Sequence, residues 1–200
     1  IWCGLNEESE AATAAIAGCA GGPEPHPAPL NGLAEIPPGR VRIRGGFWGR
    51  RLETHRAVTI PHALDCLEKD GHVTNFDTAA GRRDGPLRGH HAFDSDLHKA
   101  LEGALYTLRH REDPALRARV ASIIDRVLAA RQDDGFLISC WIVRNAEKRW
   151  ENLRLEHQLY NAGHFFEMAV AHHALTGDRR VLDAARRFAD HIDGIFGPGK

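Results

Sequence analysis

The sequence predicts an all-α protein assembled from helical hairpins, and three stretches of it carry that prediction. Leu97, Ala100, Leu101, Ala104, Leu105 and Leu108 recur at the three- and four-residue spacing that lines one side of a helix. Leu116, Val120, Ile123, Ile124, Val127 and Leu128 repeat the pattern behind Asp113-Pro114, an N-cap followed by proline at the first helical position. Farther on, a helical stretch closes at Gly177 and another opens at once at Asp178, with Val181, Leu182, Ala185, Phe188, Ala189 and Ile192 turned inward. Helix, tight turn and amphipathic helix thus occur twice. Such hairpins need neighbours to cover their apolar faces, so the chain builds either an open solenoid or a closed toroid of paired helices. Composition alone does not choose between them.

The remaining elements follow in chain order. Residues 1–39 are rich in alanine, glycine and proline, and Pro23, Pro25, Pro27, Pro29, Pro37 and Pro38 interrupt any regular element, so this segment reads as a disordered tail or linker. Val41-Arg42-Ile43-Arg44 alternates, which predicts a short edge strand running into Gly45-Gly46-Phe47-Trp48. A helix is expected from about Leu52 to Lys69, interrupted near Pro61. Asp94, Ser95 and Asp96 are each able to cap the helix that carries Leu97 to Leu108. Asp134-Gly135 ends the next helix, and Phe136 to Val143, with its β-branched and aromatic residues, reads as a strand or extended connector. A long helix then covers about Glu156 to Leu175.

Charge and cysteine usage narrow the function. The formal net charge of -1 leaves no basic footprint for a phosphate backbone, so nucleic acid is not an expected partner. No apolar run reaches the roughly 18 residues of a membrane span, so the protein is expected to be soluble and cytoplasmic. Ile16-Ala17-Gly18-Cys19 loosely matches a lipoprotein cleavage site, but the acidic segment before it, Glu7 to Glu10, argues against export by that route. Cys3, Cys19, Cys66 and Cys140 form no C-x-x-C pair and announce neither a zinc ribbon nor a redox motif. The start at Ile1 and the loop-like end at Gly197 to Lys200 suggest a piece of a longer protein.

One helix holds the candidate site. On a wheel at about 100° per residue, apolar side chains between residues 157 and 175 run nearly all the way round, the mark of a buried helix. One arc breaks the pattern: His157, Tyr160, Asn161, His164 and Glu167 share a face. A polar arc on a buried helix is either a satisfied internal network or the wall of a polyol pocket, since neutral histidine and asparagine offer donors and acceptors suited to sugar hydroxyls. The candidate substrate-binding residues are therefore His157, Tyr160, Asn161 and His164. His90-His91 and His172-His173 lack the i, i+4 geometry of a two-histidine metal site, and no pair of carboxylates announces itself as glycosidase acid and base.

Several ordered motifs carry a resemblance. Gly46-Phe47-Trp48-Gly49-Arg50-Arg51, Asn75-Phe76, Phe93-Asp94-Ser95-Asp96 with Lys99 and Glu102, Gln132-Asp133-Asp134-Gly135-Phe136-Leu137, His157-Gln158-Leu159-Tyr160-Asn161-Ala162-Gly163-His164, Thr176-Gly177, Ala189-Asp190-His191 and Phe196-Gly197-Pro198-Gly199 occur in family order. From about Val41 to Lys200 the chain resembles glycoside hydrolase family 127. The resemblance implies the N-terminal portion of an (α/α)6-barrel catalytic domain, followed in full-length members by β-sandwich material. Its implied action is on terminal β-L-arabinofuranosyl residues, so the implied partner is an arabinose-containing oligosaccharide or glycoside.

It further implies a retaining double displacement at a zinc-bound cysteine, with glutamate as acid/base. Those residues would lie beyond Lys200: none of the four cysteines corresponds to the nucleophile, no catalytic residue or zinc ligand is expected in this chain, and the chain alone is expected to be inactive. His157 matches the family histidine that bonds an arabinose hydroxyl. Gln158 stands where the family has glutamate and Phe136 where it has tyrosine, removing a charge and a hydroxyl. Residues 1–39 match nothing in the family. Two other readings compete: a noncatalytic helical-repeat scaffold, and another (α/α)-barrel carbohydrate enzyme such as an epimerase or unsaturated-uronide hydrolase.

Overall fold

The structure is a computed structural model that describes residues 36, 40–144, 146–197 and 199. The chain divides into two units, Ile1–Pro38 and Gly39–Lys200. The first, and with it the expected tail, lies outside the described residues except for Ile36.

The second unit is helical, with no strand among the described residues. Its helices are α1 (Gly46–Thr54), α2 (Ile60–Asp70), α3 (His72–Ala79), α4 (Phe93–His110), α5 (Pro114–Ala129), α6 (Ser139–Val143), α7 (Gln158–Thr176) and α8 (Arg180–Ile195). The expected edge strand does not form: residues 41–44 adopt no regular structure, and Val41 and Ile43 are exposed. Alternation over four residues orders nothing without a sheet to join.

The helix expected to break near Pro61 widens just before it. Residues His55–Thr59 form a π-helical turn between α1 and α2. Pro61 has no N–H to give back along the helix and its ring crowds the carbonyl four residues earlier, and the wider turn relieves both problems. The helix α5 starts as expected, with the Asp113 carboxylate accepting from the backbone N–H of Leu116 at 3.1 Å. It ends at Ala129, earlier than Asp134, and the Gln132-to-Gly135 turn that follows is closed by hydrogen bonds from Gly135 N to Gln132 O and from Gln132 N to Phe136 O.

Gly135 sits at φ 88°, and a methyl group there would collide with the carbonyl of Arg187 on α8. We expect Gly135→Ala to cost at least about 2 kcal/mol in urea denaturation, because strain and clash add. A cost within about 0.5 kcal/mol would mean the turn can move away from α8.

Two further expectations are corrected. Phe136 to Ile138 adopt no regular element, with Ile138 extended, and Ser139–Val143 is the helix α6 despite its β-branched residues, because tertiary contacts override weak β preferences. Asp94 and Asp96 do not cap α4, which starts one residue earlier at Phe93 with no side-chain cap. Asp94 instead reaches a different element. It is 2% exposed and accepts from both the backbone N–H and the hydroxyl of Ser139, each at 2.6 Å, so it caps α6 from across the fold.

Helix α4 is the hub, packed by α2, α3, α5 and most closely by α7, which in turn packs on α8. Leu64, Leu97, Leu101, Ile124, Phe165 and Phe188 are fully enclosed in the core these helices share. The ion pair between Arg126 and Asp77 ties α5 to α3. Helix α7 is less buried than its wheel suggests: Leu159, Tyr160 and Val170 are exposed, so one flank is open. Its polar arc lies along the border between that flank and the core.

Candidate functional site

The polar arc meets a matching stripe on α4. Asp96, Lys99 and Glu102 recur at three-residue spacing along α4, and Lys99 and Glu102 lie across from Tyr160, His164 and Glu167 of α7. The Lys99 ammonium donates to the Tyr160 hydroxyl at 2.5 Å and lies 4.7 Å from the Tyr160 ring centroid, with the Asp96 carboxylate 3.8 Å from the same nitrogen. The Tyr160 ring stands edge-on to His157 at 5.9 Å and to His164 at 4.6 Å. His164 pairs through Nδ1 with Glu167 at 3.1 Å. Partial burial and the nearby Glu167 hold the Glu102 carboxyl above its usual range. The row is rich in ring faces and in donors and acceptors, without a concentrated charge of one sign.

The four expected site residues divide. Asn161 is buried, and its amide is engaged at both ends: Oδ1 accepts from Ser95 N at 3.0 Å and Nδ2 donates to the His91 carbonyl at 2.8 Å. It is a strut between α7 and the start of α4. His157, Tyr160 and His164 lie outside that strut, with His157 and Tyr160 exposed. His157 occupies the left-handed N-cap position of α7, at φ 52°, ψ 24°. Its Nδ1 lies 2.8 Å from the Leu155 carbonyl. A carbonyl only accepts, so Nδ1 carries the proton and, in the neutral ring, Nε2 presents a lone pair. That lone pair suits a hydroxyl donor.

Three residues of this seam were not named as site residues from sequence. Lys99 and Glu102 were visible only as parts of a motif, although their spacing from Asp96 marks a polar stripe. His91 carries no sequence signal, because its partner His157 is remote in the chain and a loop histidine has no periodicity. Its ring stacks on His157 with centroids 5.2 Å apart and planes 26° apart. Burial, then the neighbouring His157 and His90, lower its pKa and keep it neutral near pH 7.

The two departures from the family pattern have structural counterparts. Gln158 is fully buried; its Oε1 accepts from the backbone N–H of Trp150 and its Nε2 donates to Glu156, both at 3.2 Å. It fastens the loop ahead of α7, and the accepting half of that task needs no charge. Phe136 is enclosed by Trp150, Phe188 and His191, with the Arg149 guanidinium 4.0 Å over its ring.

The residues present do not fit the zinc that the resemblance implies. Among the described residues, no three His, Cys, Asp or Glu side chains converge as ligands would. Burial, and next the charge of Asp94, push the Cys140 thiol up to about 12, and its Sγ–H points at the His91 carbonyl. Cys66 is half-buried beside His62 Nε2 at 3.6 Å. No chemical step is assigned to either.

A separate cleft of about 870 Å3 opens between residues 42–56 and the second half of α4, with Arg56, Tyr106 and Arg111 in its walls. Arg56 and Arg111 both pair with Glu53, and Arg56 also with Asp113, so their charge is spent on structure. No described helix is long and apolar enough to cross a membrane.

Paired helices around one core, with a polar seam along their border, define a protein built of packed helical hairpins. The model of the β-L-arabinofuranosidase GH127 catalytic domain matches residues 40–198, and the chain belongs to that family. It is 35% identical to a non-reducing end β-L-arabinofuranosidase of Bifidobacterium longum subsp. longum, over 79% of this chain and 28% of that protein. Among solved structures it resembles a GH127 β-L-arabinofuranosidase from Geobacillus stearothermophilus T6, with TM-score 0.77 and 36% identity, over 80% of this chain and 26% of that one. A second GH127 β-arabinofuranosidase matches with TM-score 0.72 and 36% identity, over 78% and 26%. The chain therefore spans little more than a quarter of the length of these relatives.

Proposed function

We propose that this chain forms part of the sugar-recognition wall of a β-L-arabinofuranosidase, acting on the terminal arabinofuranosyl residue of a glycoside or oligosaccharide. The observation that carries the reading is the seam of His157, Tyr160 and His164 on α7 against Lys99 on α4. It combines a fixed Nε2 acceptor, a phenol, an ammonium and ring faces, the mixture that hydroxyl-rich, uncharged substrates need. Asn161 serves the site by holding the start of α4 against α7. For the full-length enzyme we propose a retaining displacement at a zinc-held cysteine, with that cysteine, its zinc ligands and the glutamate acid/base outside these residues. The chain by itself then binds weakly and cleaves nothing.

The test is His157→Ala in the full-length protein, assayed for arabinose release from a chromogenic β-L-arabinofuranoside. Losing one hydrogen bond to a substrate hydroxyl should lower kcat/KM by about 10- to 100-fold. An unchanged kcat/KM would remove His157 from the sugar site.

A further inference from the structure

We infer that His91 is a positioning residue for His157: its stacked ring holds the His157 imidazole so that Nε2 stays turned toward the sugar. The inference rests on the sugar-site reading above and adds to it a residue from a different part of the chain.

His157 needs such help. With Trp150 it is one of two non-glycine residues at positive φ among the described residues. A left-handed backbone persists at a bulky residue only when its surroundings over-determine it. Three contacts do so: the Leu155 carbonyl on Nδ1 at 2.8 Å, the Tyr160 ring edge at 5.9 Å, and the His91 ring stacked at 5.2 Å. The first fixes the tautomer. A single hydrogen bond leaves the ring free to rock about it, and stacking on His91 removes that freedom.

His91 is itself anchored to the helix that His157 begins. Its carbonyl accepts from Asn161 Nδ2 at 2.8 Å and from the Cys140 thiol at 3.7 Å, while Asn161 Oδ1 accepts from Ser95 N at 3.0 Å. The first turn of α7 therefore pins the backbone of His91, and the side chain of His91 covers the residue opening α7. This closed circuit makes the distance between the two rings a property of the fold. A site atom misplaced by a fraction of an ångström loses much of a hydrogen bond, so the second ring acts on affinity through the first.

The experiment uses the full-length protein as wild type, His91→Ala, His91→Phe and His157→Ala. Two quantities are read: KM and kcat on a chromogenic β-L-arabinofuranoside, and the rate at which diethylpyrocarbonate modifies His157, followed by peptide mass mapping. We expect His91→Ala to raise KM several-fold with a smaller change in kcat, and to speed modification of His157 as its ring comes loose. His91→Phe restores both, because an aromatic face suffices. If His91→Ala changes neither KM nor the modification rate while His157→Ala lowers kcat/KM, positioning is overturned and the sugar site stands. If the wild type is inert on the arabinoside, the sugar reading fails and the modification rates alone decide the positioning: faster in His91→Ala and restored in His91→Phe supports it, equal rates overturn it.

Discussion

Replacing His98 by leucine should raise the stability of the chain at pH 4 by about 3 kcal/mol and change it far less at pH 8. His98 lies on α4, fully enclosed, between the rings of Phe76 at 5.8 Å and Phe165 at 5.3 Å. Neither ring nitrogen finds a hydrogen-bond partner among the described residues. Burial first, and then the nearby His164, push its pKa down to about 3 from an ordinary 6.5. The folded state thus resists a proton that the unfolded chain accepts. Its contribution to stability is fully present above pH 6.5 and is lost as pH falls toward about 3, at about 1.4 kcal/mol per unit. Leucine removes that acid sensitivity while filling similar space. Urea denaturation of both proteins at pH 4 and pH 8 measures the difference; equal losses on acidification would show that His98 is hydrated or partnered in the folded state.

Asp94 should behave in the opposite sense. Burial raises its carboxyl to about 6 from an ordinary 3.8, with the two Ser139 hydrogen bonds pulling the other way. A raised folded-state value means its contribution is greatest below about pH 4 and is lost as pH rises through about 6, a change of about 3 kcal/mol. Asp94→Asn keeps an acceptor for Ser139 N and a donor for its hydroxyl, so it should be well tolerated at pH 7 and should flatten this pH dependence. Asp94→Ala strands both Ser139 groups in the core and should cost about 3 kcal/mol. If the alanine and asparagine variants are equally stable at pH 7, the bonds to Ser139 contribute nothing net and the capping role of Asp94 is wrong.

The contrast between these groups explains what could be read from the sequence. The hairpins were legible because apolar spacing, the Asp113 cap and the Gly177 stop act within a turn or two of helix. The polar arc of His157, Tyr160, Asn161 and His164 was legible for the same reason. What each side chain meets was not. Asp94 looked like a cap for its own helix, and only the fold brings Ser139 to it. Asn161 reads as a pocket residue on a wheel, yet it braces the His91 and Ser95 backbone. Lys99 reaches Tyr160, and His91 covers His157, across separations on which no periodicity reports. The strand expected at residues 41–44 shows the converse limit, since alternation specifies a strand only where a sheet exists to receive it.

The glycoside that the full-length protein cleaves decides what the seam recognises. The most direct measurement compares its kcat/KM on a chromogenic β-L-arabinofuranoside with those on the α-L-arabinofuranoside and on other pentosides. We predict arabinose release from the β-L-furanoside, with the others turned over at least about 100-fold less well. A folded enzyme that ignores the β-L-furanoside and hydrolyses another glycoside would contradict the account, leaving the helical fold with a different sugar at the seam.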